Sequence, residues 1–523
     1  MFIQKVFFTA LFLLAINSIS FSQNPALSKI DKDDMKRHLT FLSSDSLQGR
    51  KLGTEVPGLD IAANYIKVNA EKNGLKPGVD NYFQKVDIVS TKPNENSFIQ
   101  INRSNGKVLF KTTSLINLKG GSSAISFKNE EIVFAGFGYQ NSEINYNDLE
   151  GVDVAGKVVV IAQGTPGIFM AGENFRWNSS IEREKFKLIS EKNPKAIILI
   201  STPLDKENKT FSQLNRWINR QRYILEVSEK LEEAPILLCK PEFADQILGR
   251  KGKFAKYLTS ISKKEKSDSY LIEKKKIDIE ISSIVKDAET KNIIGIVEGS
   301  DPVLKDEYIV FMAHYDHLGV AKDGDVYNGA DDNGSGTVTL LEVAEAFASL
   351  EQKPKRSIVF LWVTCEEIGM LGSNYYTENP VYPLEKTVAC INIDMDGRVY
   401  EPRDSVWNKS PKKVKDFDGL FTLCNNVWPK IKEINNSNCE KLGLIPDSSL
   451  PSKFLRSSDH YHFHKKGIPI INYATGYHAD YHKVGDEVSK INFDKMKRVA
   501  DLCFLVGYEI ANLDKIEFEG KED

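Results

Sequence analysis

From about residue 290 onward, runs of apolar residues alternate with amphipathic stretches, and four of the apolar runs lead into acidic or imidazole side chains. IVFMA leads into His314-Tyr315-Asp316, and SIVFLWVTC leads into Glu366-Glu367. VACINI reaches Asp394, and IPIINYATGYHADY reaches His482. Continuous apolar runs of this length are what strands buried on both faces look like. Helical spacing lies between them, as in TVTLLEVAEAFASL with Val338, Leu341 and Ala344, and again in the closing FDKMKRVADLCFLVGYEIANL. Strands alternating with helices predict an α/β sheet, whose chemistry collects beyond the carboxyl ends of its strands.

The first half reads differently. Residues 31–75 predict two helices: one carries Met35, Leu39 and Leu42, and the other starts near Val56 and stops at Gly74 with Pro77 beyond. The glycine-punctuated LQGRKLGT lies between them. From roughly residue 110 to 285 the pattern becomes short strands with glycine turns: EIVFAGFGY, GKVVVIAQG, KAIILIST and APILL. This stretch ends in the lysine-rich KGKFAKYLTSISKKEKSDSYLIEKKK, which reads as a solvated face or loop of a second domain.

Composition narrows the picture only in part. At 523 residues the chain is too long for one compact domain, and 41% hydrophobic residues are enough for substantial cores. A net charge of −3 gives no reason to expect a nucleic-acid partner. The opening MFIQKVFFTALFLLAINSISFSQ has one lysine, an apolar stretch from Val6 to Ile16, and small residues at Ser20 and Ser22. It predicts a signal peptide over residues 1–22, and its apolar core is too short for a comfortable membrane span. A secreted or periplasmic protein without a stable membrane anchor follows as the expectation. The 6 cysteines form no CxxC pair, which disfavours a thiolate zinc site. Cys424 and Cys439 are the best disulfide candidates, and Cys365 reads as a small buried residue at a strand end.

The candidate chemistry is that of a metal centre. In His314-x-Asp316 the carboxylate would hold the imidazole nitrogen that faces away from the metal. In NGADDNGSG, Asp331 and Asp332 are pressed into a glycine turn, where they repel unless a cation neutralises them. Glu366 and Glu367 pose the same problem, unless one binds metal and the other handles protons. Asp394 adds a further acid, and either His478 or His482 has a spacing that suits a ligand. Asp331, Glu367 and Asp394 supply −3 beside neutral imidazoles. One divalent ion would leave that set negative and would not need five ligands. Two ions, balanced by one hydroxide, match it if one carboxylate bridges. Mixed imidazole and carboxylate ligands suit Zn²⁺, with Co²⁺ and Mn²⁺ also compatible.

AHYDHLG, NGADDNGSG, CEEIGMLGS, NIDMDGR, SSDHYHF and DYHKVGDE, in that order, resemble the two-zinc aminopeptidase family, which includes glutamate carboxypeptidases, transferrin receptors and glutaminyl cyclases. HLTFLSSDSLQGRKLGT resembles the start of its secreted bacterial members, and YNDLEGVDVAGKVVVIAQGTPG the protease-associated domain inserted in them. The resemblance implies a mixed, largely parallel α/β sheet flanked by helices. It divides the chain into a first catalytic part (23–110), a β-rich insert (111–285) and a main catalytic part (286–523). It also implies two Zn²⁺ ions, peptide substrates, and release of N-terminal residues by a metal-bridging hydroxide. Asp331 would be the bridge, with a cis bond to Asp332; Glu367 and His482 would complete one ion, and His314 and Asp394 the other. Glu366 would be the general base, Asp316 the residue orienting His314, and Asp486 a partner of His482. Some relatives place a tyrosine after the Asp of the SSDH-like motif; here His460 stands there, as a candidate oxyanion donor. His462 and His464 read as core or surface histidines. A carboxypeptidase or dipeptidase would need a basic pocket, for which Arg398, Arg403 and Arg456 are candidates. A non-catalytic binding relative would be expected to lack ligands or the base.

Overall fold

A computed structural model describes residues 25–111, 115–118, 124–171, 179–202, 209–218, 220–226, 234–249, 251–264, 268–399, 417–449 and 452–518. The predicted signal peptide and Arg403 lie outside the described residues. The chain packs as two units, divided after Asp87 and after Ala288.

In the first unit the elements that matter are α1 (Lys32–Leu42), α2 (Gly58–Lys72), the start of β1 (Phe83–Pro93), the end of β2 (Ser283–Val297), β3 (Tyr308–His314), α3 (Gly336–Ser349) and β4 (Ser357–Val363). They continue with α4 (Leu371–Glu378), β5 (Thr387–Ile393), β6 (Gly419–Cys424), α5 (Lys430–Lys441), β7 (Ile445–Asp447), α6 (His460–Lys465), β8 (Ile470–Ala474) and α7 (Phe493–Asn512). The sheet order is β1-β2-β4-β3-β5-β8-β6-β7. The central four strands, β4, β3, β5 and β8, are parallel, while β2 and β6 flank them antiparallel. This is the α/β sheet that the alternating pattern predicts, mixed and largely parallel as the resemblance implies.

Both faces of that sheet are covered, which is why its strands are apolar throughout. Ile309, Phe311 and Ala313 of β3 join Phe360 and Trp362 of β4 in a core closed by Met35, Leu39, Ala62, Ile66, Leu341, Phe347, Val499 and Phe504 from α1, α2, α3 and α7. The alternate residues Val310, Met312, Val359, Leu361 and Cys390 face a second core with Tyr376 of α4 and Phe463 of α6. Tyr376 and Phe463 stack at 5.9 Å. Truncating one of these buried aromatics would cost about 3–5 kcal/mol through lost transfer energy and the cavity left behind. Asp31 caps α1 by accepting the N–H groups of Asp33 and Asp34 at 2.8 and 3.1 Å.

All six cysteines are free thiols, including Cys424 and Cys439, so the expected disulfide is not formed. Cys439 is buried in the core on α5, where its thiol faces Asn435 at 3.9 Å.

The second unit, 88–288, starts earlier than the predicted 111 because Phe98–Arg103 pairs with its own later strand Lys275–Ile281 and carries Gly106–Lys111 on its other edge. Its larger sheet has a parallel centre of Ile132–Phe134, Val158–Ala162, Ala196–Ile200 and Ile236–Cys239. Lys253–Lys264 forms a helix that buries Phe254, Leu258 and Ile261 at helical spacing and leaves Lys256 and Lys263 exposed.

Candidate metal centre

Strands β3, β4, β5 and β8 all end on the same edge, and the residues that follow them converge there. After β3, His314 turns Nε2 toward Asp332 Oδ1 at 3.5 Å and Asp394 Oδ1 at 3.6 Å. Its Nδ1 faces Asp316, 3.3 Å from the carbonyl oxygen and 3.6 Å from the carboxylate. Asp316, two residues beyond β3, accepts the main-chain N–H groups of Glu366 (2.9 Å) and Glu367 (3.2 Å) after β4, which joins the first ligand loop to the second. His482 Nε2 lies 3.1 Å from Asp332 Oδ2 and 3.3 Å from Glu367 Oε2. The backbone turns sharply where these side chains leave their elements. Cys365 before Glu366, Met395 after Asp394, and His482 itself have φ of +59°, +64° and +55°. Left-handed backbone at non-glycine residues is costly and concentrates at functional sites.

Two groups of donor atoms result, each with all members within 4.8 Å of one another: His314, Asp332 and Asp394, and His317, Asp332 and Glu367. Asp332 is common to both. The sequence expectation placed Asp331 there, and the structure corrects it by one residue. Asp331 Oδ1 accepts the N–H of Gly397 at 2.7 Å, and its Oδ2 lies 3.2 Å from His478 Nε2. The cis peptide bond is likewise one residue later, between Asp332 and Asn333. Asp486 does not meet His482; its carboxylate accepts the main-chain N–H groups of Asp331 and Asp332 at 3.0–3.1 Å and fixes the turn. Of the two histidines in GYHADYHKVGDE, His482 joins the cluster, and His478 supports Asp331.

The residues present fit a cationic occupant. Asp332 Oδ2, Glu367 Oε1 and both ring nitrogens of His317 are buried without a hydrogen bond. Burial, together with the neighbouring Glu367, pushes the Asp332 carboxyl above its usual range. Burial also holds Glu366 well above the usual carboxylate range, with Glu367, Asp459 and Asp394 adding to the effect. A divalent ion would remove both penalties, and imidazoles with carboxylates are a zinc donor set.

His460 is not placed for the role considered for it. Its Nε2 lies 3.0 Å from the Phe454 carbonyl, so that nitrogen carries the proton. The buried Nδ1 is then a lone pair, with no proton to donate to an oxyanion. Burial keeps the ring neutral, with its pKa lowered to about 4. Cys365 is buried and its thiol is pushed upward, as for a packing residue. Arg398 is engaged internally, 3.1 Å from Asp480 and 3.8 Å from Asp486.

Two residues have no counterpart among the sequence expectations. His317 stands in the second donor group. Arg50, from LQGRKLGT, is buried and donates to the carbonyls of Leu42 (2.6 Å), Asn328 (2.7 Å), Gly329 (2.9 Å) and Tyr315 (2.9 Å). It thereby ties the loop after β3 to the loop carrying Asp332. The available signal was an arginine between the glycines of a loop, which is ambiguous until the loop is placed.

Residues 292–506 match the model of peptidase family M28. The chain is 30% identical over 234 residues to aminopeptidase YwaD of Bacillus subtilis, covering 43% of this chain and 46% of that protein. It is 28% identical over 230 residues to aminopeptidase Y of Saccharomyces cerevisiae, covering 41% and 37%. The chain thus spans less than half the length of these curated relatives. An aminopeptidase from Aneurinibacillus sp. strain AM-1 is similar in structure at a TM-score of 0.49 and 18% identity, over 95% of this chain and 98% of that one. The matched span holds the strands and loops that bring Asp332 to His314, Asp394, Glu367 and His482, and over that span the chain is similar to peptidase family M28.

Proposed function

We propose that this chain is a metallo-aminopeptidase that holds two divalent ions, zinc by preference, and removes N-terminal residues from peptides. The observation that carries the reading is the sharing of Asp332 by two donor groups. His314 and Asp394 would hold one ion and Glu367 and His482 the other, with Asp332 between them. When bound, the pair supplies Lewis acidity toward the scissile carbonyl and lowers the pKa of a water. Glu366 stands beside this set on the Asp316-anchored turn, where burial raises its proton affinity. It would take a proton from the attacking water and deliver it to the leaving amine. Asp316 would fix both His314 and the Glu366-Glu367 turn.

Release from the amino end is favoured because Arg398, one of the candidates for a substrate carboxylate, is already paired with acids. The curated relatives named as aminopeptidases point the same way. Beside Asp394 lies a pocket lined by Met395, Phe421, Phe454, Gly476 and Tyr477, which would take an apolar N-terminal side chain. No helix of the described residues is long and apolar enough to cross a membrane. We read the protein as exported, on its N-terminal sequence, and unit 88–288 as a protease-associated-like insert.

The test uses purified full-length protein with Zn²⁺, assayed on leucyl and alanyl p-nitroanilides and on the same peptides with acetylated amino ends. Turnover of the free-amine substrates alone is expected, with loss on chelation and return on Zn²⁺ addition. Undiminished activity after exhaustive chelation, or cleavage from the carboxyl end, would overturn the reading.

A further inference from the structure

The second donor group contains one more imidazole than the five-ligand expectation includes. His317 is 1% exposed, and neither ring nitrogen makes a hydrogen bond. A structural core histidine normally gives its N–H to a carbonyl or carboxylate, because a buried polar atom without a partner costs about 1–3 kcal/mol. Here Nδ1 lies 2.8 Å from Glu367 Oε1 and 4.0 Å from Asp332 Oδ2. Glu367 Oε1 and Asp332 Oδ2 are themselves without hydrogen bonds. His482 Nε2 approaches the same carboxylates, at 3.1 Å from Asp332 Oδ2 and 3.3 Å from Glu367 Oε2. Donors about 2 Å from a tetrahedral zinc ion stand roughly 3.3 Å from one another, and these spacings bracket that figure.

The surroundings are built around this ring. The His317 main-chain N–H donates to the Arg50 carbonyl at 3.2 Å. Gly329, at φ +54°, leaves space where a Cβ would come within 2.4 Å of His317 Cδ2.

We infer that His317 is a sixth protein ligand, so that the ion at Glu367 and His482 is held by four protein donors while the ion at His314 and Asp394 is held by three. This rests on the two-ion reading above and deepens it. Closed four-donor zinc sites hold their ion structurally, whereas three-donor sites keep a position open for water or substrate. The centre is therefore unequal. One ion, with His317, His482, Glu367 and Asp332, binds first and exchanges slowly. The other, with His314, Asp394 and Asp332, binds second and takes the exchangeable position.

The test is metal binding to the metal-free full-length protein. Titration with Zn²⁺ should resolve a tighter and a weaker ion, and X-ray absorption at one equivalent should count two imidazoles on the tight ion. His317→Asn should weaken that ion by about tenfold or more. It should also lower the intensity of the Co²⁺ d–d bands at one equivalent, with the weaker ion's affinity within about threefold of wild type. A single imidazole at one equivalent in the wild type, or unchanged tight-site affinity in a folded His317→Asn protein, would overturn the inference. The absorption experiment needs no variant, so failure of the variant to fold leaves the test intact. Wild-type protein that binds no ion would instead overturn the two-ion reading itself.

Discussion

The carboxylates of Asp331 and Asp332, adjacent in the chain, go to separate sets of partners. Asp331 meets the Gly397 N–H and His478, while Asp332 lies between His314 and His482. Asp486 accepts both main-chain N–H groups and so holds the pair in this divergent arrangement. Asp332→Asn should therefore weaken both ions, and metal analysis after dialysis should find well under two per chain. Asp331→Asn should keep near-stoichiometric metal and show its loss as lowered thermal stability. The reverse pattern would return the shared position to Asp331.

Glu366→Gln separates proton handling from metal binding. Removing a general base costs typically about 10²–10⁴ in rate. The variant should lose that much kcat while binding two ions as the wild type does, because Glu366 belongs to neither donor group. Steady-state kinetics alongside metal analysis measures both quantities, and wild-type-like turnover would remove Glu366 from the role.

Arg50→Met should destabilise the protein although Arg50 lies outside the donor groups. The buried carbonyls of Leu42, Asn328 and Tyr315 lose their donor while that of Gly329 keeps the Gly334 N–H, and at roughly 1–3 kcal/mol for each buried polar group left unpaired a loss of at least about 3 kcal/mol is expected. Urea unfolding of wild type and variant measures it. Lysine at this position should not restore stability, since one ammonium cannot span the planar fork's acceptors.

Glu342 of α3 gives a pH dependence. Its Oε2 accepts the Asp31 N–H at 2.9 Å, but burial raises its pKa from 4.5 to about 8, with Glu345, Asp34 and Asp31 adding repulsion. The folded state keeps a proton that the unfolded state releases, so this group's stabilisation is full below about pH 4.5 and is lost as pH rises through about 8. Glu342→Gln, which cannot ionise, should flatten that decline. Thermal melts of both proteins from pH 5 to 9 test it, and parallel slopes would exclude Glu342 as the cause.

Phe454 lines the pocket beside Asp394. Phe454→Ala should reduce the preference for leucyl over alanyl substrates by about tenfold in kcat/KM, because a lost apolar contact is worth about 1–3 kcal/mol. An unchanged ratio would place the side-chain pocket elsewhere.

The strands of the first unit were legible because burial on both faces forces uninterrupted apolar runs, and the acids at their ends were legible because such runs seldom finish in paired carboxylates. The lysine-rich 251–276 stretch was harder to read, since the exposed Lys256 and Lys263, whose charges suggest solvent, share a helix with the buried Phe254, Leu258 and Ile261. The start of the second unit was misplaced because Phe98–Arg103 belongs with a partner strand some 175 residues later, a pairing local pattern does not encode.

By itself, then, the sequence determined that carboxylates and imidazoles gather at one edge of an α/β sheet, because apolar periodicity and chain order settle where strands end. It did not determine which of two adjacent aspartates faces the cluster, nor that His317 and Arg50 belong to it. Those are matters of backbone direction at single residues: the turn after Gly329, the Asp486 acceptor, and left-handed φ at Cys365, Met395 and His482. Neighbouring side chains leave such turns in different directions, and only the packed loops fix which direction each one takes.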